Sequence, residues 1–147
     1  MTKRLLLDIN ALFALGWTNH PFHQAVRERL LLEPCPWATC AMVQLGFLRL
    51  SMNPAVVAPS AAASSAQAHT LLKQLVSDRE HLYVDAAPAP ADTPSFAHTL
   101  GHNQINDLQL IEIARANRCL LLSADKGLIQ HYPHIVEALR LKRLLQN

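Results

Sequence analysis

The chain has 147 residues, a formal charge of +2 and an apolar half; this is the size of one domain able to bury a continuous core. No stretch approaches the ~20 uninterrupted apolar residues that cross a bilayer, and the opening Met1-Thr2-Lys3-Arg4 meets Asp8 too early for a signal-peptide core, so a soluble cytoplasmic protein is expected. Cys35, Cys40 and Cys119 have no C-x-x-C spacing, which argues against a disulfide framework or zinc ribbon, and the small basic excess permits a polyanionic partner without requiring one.

In chain order, the apolar run over 5–7 suits a strand covered on both faces, and Asn10 reads as the N-cap of a helix over 11–15. A second helix is expected from near Pro21, carrying Ala25, Val26, Leu30 and Leu31 and stopping before Pro34 and Pro36. A strand over 37–40 follows. Then comes a largely apolar helix over 41–50, with Gln44 in its first turn and Asn53-Pro54 as its stop. Ser60 reads as the cap of a long helix reaching Val76, weakened in its first half by Ser64 and Ser65.

A third strand is expected over 82–84, ending at Asp85. The prolines at 88, 90 and 94 mark a loop region in which Thr93-Pro94 starts a short helix through Phe96 and Leu100, closed by Gly101. Asp107 opens a helical apolar pattern through Leu108, Ile111 and Ala114, followed by a strand over 119–122 and a short helix from Lys126 that stops before Pro133. The tail over 135–145 fits either a final helix or a strand followed by a helix. Strands alternating with helices imply an α/β three-layer sandwich with a central, mainly parallel sheet and a single domain over 1–147.

Three acids stand at the ends of these units: Asp8, Asp107 and Asp125. Each lies at an expected helix start, where an aspartate can cap free N–H groups for ~1 kcal/mol. In a parallel sheet, however, strand carboxyl ends gather into one cleft, and three carboxylates brought together there repel by several kcal/mol unless a cation or a proton intervenes. Mg²⁺ or Mn²⁺ is the simplest remedy, and such an ion can activate a water for attack on a phosphodiester.

The segments Leu6-Leu7-Asp8-Ile9-Asn10-Ala11-Leu12, Asn106-Asp107-Leu108-Gln109 and Leu121-Leu122-Ser123-Ala124-Asp125-Lys126-Gly127 resemble the three acidic motifs of PIN-domain ribonucleases, specifically VapC-type toxins of toxin–antitoxin pairs. The resemblance spans nearly the whole chain. It implies a PIN-like fold, metal-dependent RNA cleavage, Asp8, Asp107 and Asp125 as metal ligands, and Ser123 as the small hydroxyl residue beside the last acid. It also implies a small antitoxin partner and a homodimer. Gln44 departs from the family pattern, which commonly has glutamate in this helix; the missing charge predicts weaker or single-metal binding.

Other constellations are poorer. His20 with His23, and His131 with His134, have helical spacing but neither a proline-free helix nor a completing ligand. G-x-S-x-G and phosphate-cradling glycine loops are missing from the sequence. Arg49 is a candidate for RNA phosphate or a structural ion pair, and Trp37 and Phe47 read as core before base-stacking residues. Two alternatives compete: an aspartate-nucleophile phosphohydrolase using Asp8 and Lys126, which would want an acid where Asn10 stands, and a non-catalytic relic that binds RNA or antitoxin.

Overall fold

The computed structural model describes residues 3–32, 35–98 and 101–141. Its frame is a five-stranded sheet formed by β1 (Arg4–Leu7), β2 (Trp37–Thr39), β3 (His81–Tyr83), β4 (Cys119–Ser123) and β5 (Val136–Ala138), in the order β3-β2-β1-β4-β5. All pairings are parallel, with Leu5 opposite both Trp37 and Leu120. Continuous apolar runs dictate this arrangement: Leu5, Leu6, Leu7, Leu121 and Leu122 are wholly buried, as strands covered on both faces require.

Among the described residues six α-helices accompany the strands: α1 (Ile9–Gly16), α2 (His23–Leu32), α3 (Ala41–Ser51), α4 (Ser65–Val76), α5 (Ile105–Ala116) and α6 (Lys126–His131). The chain runs outward from β1 through β2 to β3, then crosses to β4 and β5 on the other side of β1. With right-handed crossovers, that reversal puts α1–α4 on one face and α5 and α6 on the other, giving three layers. Phe47, Leu12 and Val43, all fully buried, join α1 and α3 to the sheet. The α1–α3 approach is close at Gly46, where a Cβ would lie 2.6 Å from the Ile9 side chain.

The helix starts depart from the sequence reading. Asp8, not Asn10, caps α1, because its carboxylate sits at the strand end where the first free N–H groups emerge. Likewise Ser64 replaces Ser60: its hydroxyl accepts from Gln67 N while the Gln67 side chain returns to Ser64 N, a capping box that outcompetes a lone serine.

The expected helix after Thr93 is a single 3₁₀ turn, Pro94–Ala97, preceded by another at Pro90–Asp92, and the Thr93 hydroxyl donates back to Ala89 O instead of capping forward. Gly101 precedes a further 3₁₀ turn, His102–Gln104, which leads straight into α5; that helix therefore starts before Asp107. Leu100 lies outside the described residues. The tail provides the strand alternative in β5, and everything past 141 is likewise outside them. Cys35, Cys40 and Cys119 are buried and unpaired, and among the described residues no helix is long and apolar enough to cross a membrane.

Candidate functional site

Because the sheet order reverses around β1, a crevice opens at the carboxyl ends of β1 and β4. Asp8 is the first residue after β1; Ser123 ends β4 and Asp125 follows two residues later. Both acids have extended backbone and act as N-caps: Asp8 Oδ1 accepts from Ala11 N at 2.7 Å and Asp125 Oδ1 from Leu128 N at 3.0 Å. Capping nevertheless leaves half of each group unexplained.

The other Asp8 oxygen accepts from the Ser123 hydroxyl, and Ser123 Oγ accepts in turn from Asp125 N at 3.0 Å. Fully buried Ser123 therefore couples the two strand ends. Asp107 differs. It lies inside the first turn of α5, whose N-cap position is Gln104 with no side-chain cap bond, so its half-buried carboxylate has no capping role. Asp107 and Asp125 share the wall of a cleft of about 290 Å³ with Asn103, Gln104, His131 and Tyr132.

Electrostatics tie the three acids together. Burial is the main force lifting Asp8 from 3.8 to about 6; the Ser123 and Ala11 hydrogen bonds oppose it, and the charges of Asp125 and Asp107 add to it. Asp107 is also raised, first by burial and then by Asp125. Among the described residues, no group of three His, Cys, Asp or Glu side chains closes around a common point. Asp8 is turned onto Ala11 and Ser123, whereas Asp107 and Asp125 border the open cleft.

A hard dication fits this donor set in a limited form. Mg²⁺ commonly takes one or two carboxylates and completes its octahedron with water and phosphate oxygens, and Asp107 and Asp125 would be the carboxylates on this cleft wall. Each Asp8 oxygen keeps a second acceptor site despite its hydrogen bond.

Gln44 lies one turn into α3, half-buried, with its amide donating to Thr39 Oγ1 at 3.0 Å; Thr39 meets His81 Nε2 at 2.7 Å. Its side chain is thus engaged toward β2 and β3. Arg49 is exposed, while Trp37 and Phe47 are core residues. The first histidine pair is structural: His23 Nδ1 meets Ala14 O at 2.8 Å, and His20 Nδ1 accepts from Phe22 N at 3.0 Å. Sequence reasoning missed Asn103, Gln104 and Tyr132 on the cleft wall and the Thr39–His81 link. From sequence, His131 reads only as half of a metal pair, and the signal for Thr39 is a polar residue closing an apolar strand.

Ribonuclease VapC38 of Mycobacterium tuberculosis is 32% identical over 123 residues, covering 83% of this chain and 85% of that protein. The chain belongs to the VapC ribonuclease family. A second member, Ribonuclease VapC39 of the same species, is 30% identical over 131 residues, covering 84% of this chain and 89% of its own. Among solved structures, VapBC2 from Rickettsia felis bound to a DNA fragment from their promoter superimposes with a TM-score of 0.59 at 13% identity, over 92% of this chain and 98% of that one. At that identity the likeness speaks for the PIN-like α/β fold. No family profile matches the chain. Membership in the VapC family agrees with the order of the acidic motifs along β1, α5 and β4.

Proposed function

We propose that this VapC-family chain is a metal-dependent endoribonuclease, the toxin of a toxin–antitoxin pair, cleaving RNA with Mg²⁺ or Mn²⁺. The observation that carries this reading is the shared field of Asp8, Asp107 and Asp125, each from a different element, at the switch point of a parallel sheet. Asp107 and Asp125, on the cleft wall, would hold the cation, with Asp8, oriented by Ser123, as the third carboxylate of the set. A cation so bound supplies charge neutralisation at a phosphodiester and a more acidic water. The protein's own contribution is to fix the carboxylates: the caps lock Asp8 and Asp125 to their helices, and Ser123 prevents them from drifting apart. Gln44 provides a neutral acceptor where the family pattern commonly has a charge.

A small antitoxin restrains this site, and the toxin works as a homodimer in the cytoplasm; of these, the antitoxin partner has the support of the VapBC2 neighbour. The phosphohydrolase reading fares worse. It wants a second acid two residues after Asp8, and Asn10 stands there.

The test is cleavage of total RNA by purified protein with Mn²⁺ and with EDTA, beside Asp8→Asn, Asp107→Asn and Asp125→Asn. Changing an outer partner of a metal site commonly costs 10–100-fold, so each substitution should cost at least about 100-fold. Cleavage that persists in EDTA and in all three variants overturns the reading; tight RNA binding with no cleavage by the unmodified protein points to the relic.

A further inference from the structure

The acidic cleft does not end at α6. His131 and Tyr132 line both it and a second cleft of about 570 Å³, whose wall includes Lys3, Arg115, Arg118 and His134. No carboxylate lines this second cleft among the described residues. The two clefts follow α5 from Asp107 to Arg115, eight residues of helix or roughly 12 Å, more than the span of a single phosphate.

An independent observation concerns Arg118. Its φ of 55° makes it the one non-glycine residue with positive φ among those described. It directly follows the Asn117 C-cap of α5, the position where glycine is conformationally cheapest, yet the chain carries an exposed arginine there. An unfavoured backbone that keeps a long cationic side chain on a cleft wall points to a use for that side chain.

We propose that this second cleft is a phosphate-binding subsite, along which the RNA strand leaves the acidic site over His131 and Tyr132 and is held by Lys3, Arg115 and Arg118. The inference rests on RNA being the substrate. Phosphate contacts of this kind set register and affinity and carry no base preference. Arg115 and Arg118 stand beyond the acids, so their removal weakens the grip on long RNA and leaves the carboxylate chemistry in place. A substrate too short to reach them does not register the change.

The test measures anisotropy of a labelled single-stranded RNA across a potassium chloride series, in an Asp8→Asn background so that nothing is cut. Adding Arg115→Gln with Arg118→Gln should weaken binding at least tenfold and flatten the salt slope by about 0.7 for each phosphate that is no longer neutralised. Replacing both with lysine should retain most of the affinity. Arg118→Gly should keep or raise the melting temperature while weakening RNA binding, a combination that a purely structural arginine would not produce. With Asp8 intact, the double glutamine variant should show a raised KM on long RNA and an unchanged rate on a dinucleotide.

Unchanged affinity and slope overturn the subsite, even if the unmodified protein cleaves RNA as proposed above. If poly-glutamate binding is lost while RNA binding is kept, the cleft serves an acidic polypeptide and the proposal fails. Absence of cleavage by the unmodified protein counts against the nuclease reading alone, since affinity is measured without turnover.

Discussion

Asp8 combines two roles with opposite consequences for stability. As a cap it favours folding; as a buried charge it opposes it, and the opposition dominates, since its pKa rises from 3.8 to about 6. A carboxyl group with a higher pKa folded than unfolded favours folding most below about pH 4. That contribution is lost as the pH climbs to about 6, leaving a penalty of roughly 3 kcal/mol at neutral pH. Asp8→Asn removes the charge and keeps an oxygen for Ala11 N, but its amide nitrogen cannot accept from the Ser123 hydroxyl, a loss of about 1 kcal/mol. Urea denaturation in EDTA should therefore show the variant more stable by roughly 1–2 kcal/mol at pH 7.5, with the advantage gone near pH 4. A difference independent of pH would show that desolvation is not the cause. Gln44 offers a complementary change. Its amide donates to Thr39 Oγ1, which also meets His81 Nε2. In Gln44→Glu the carboxylate can only accept, so Thr39 turns to it and His81 must donate from Nε2. The added charge should tighten Mn²⁺ binding about tenfold by calorimetry, ~1.4 kcal/mol, and unchanged affinity would place residue 44 outside the site.

At the level of elements, the site depends on how closely α1 can lie against α3. Gly46 permits the approach: a Cβ there would meet three Ile9 side-chain atoms between 2.6 and 2.8 Å, and Ile9 is the residue after Asp8. Gly46→Ala gains ~1 kcal/mol of helix propensity, but overpacking costs about 1–3 kcal/mol, so the net effect should be destabilising by up to about 2 kcal/mol. Its characteristic sign is a loss of Mn²⁺ affinity along with the lower denaturation midpoint, because α1 moves and takes Asp8 with it. A variant of reduced stability but full metal affinity would mean that α1 tilts without disturbing its start. The elements themselves were legible where one signal dominated. Continuous leucine runs gave β1 and β4, and prolines bounded α2 and α6. Helix starts were harder wherever several polar residues competed for one end. Asp8 prevailed over Asn10 through its place at the strand end, and Ser64 over Ser60 because Gln67 completes a box that Ser60 lacks. Topology suggests grouping the acids at β1, α5 and β4, and in the fold the charges of Asp107 and Asp125 do reach Asp8. Their unequal roles were not legible, since only the folded chain shows Asp107 free of the capping that engages Asp8 and Asp125.

For the whole molecule, the reversal of strand order around β1 does two things at once. It opens the crevice that receives the acids, and it leaves β5 as an edge strand of three residues that must be kept on the sheet. Part of that hold comes from far away in sequence: Arg29 of α2 meets Glu137 of β5 through Nε at 2.6 Å and Nη2 at 3.0 Å, across 108 residues. The fork geometry is the strong form of the interaction, but both side chains are 30% exposed, so solvent screening limits its contribution to about 1 kcal/mol. Arg29→Ala should therefore lower global stability by about 1 kcal/mol at low salt, and by less at 1 M sodium chloride, where screening acts within ~3 Å. Hydrogen exchange discriminates further. If the pair secures the edge, the amides of Val136 and Leu139, which bond to Tyr132 and Ser123, should lose protection before those of β1. Ser123 lies on the strand that β5 covers, so fraying there reaches the hydroxyl that orients Asp8, and the variant should cleave RNA more slowly than its small stability loss alone implies. Uniform loss of protection across the sheet would show instead that Arg29 and Glu137 stabilise the fold as a whole, with no special hold on the edge.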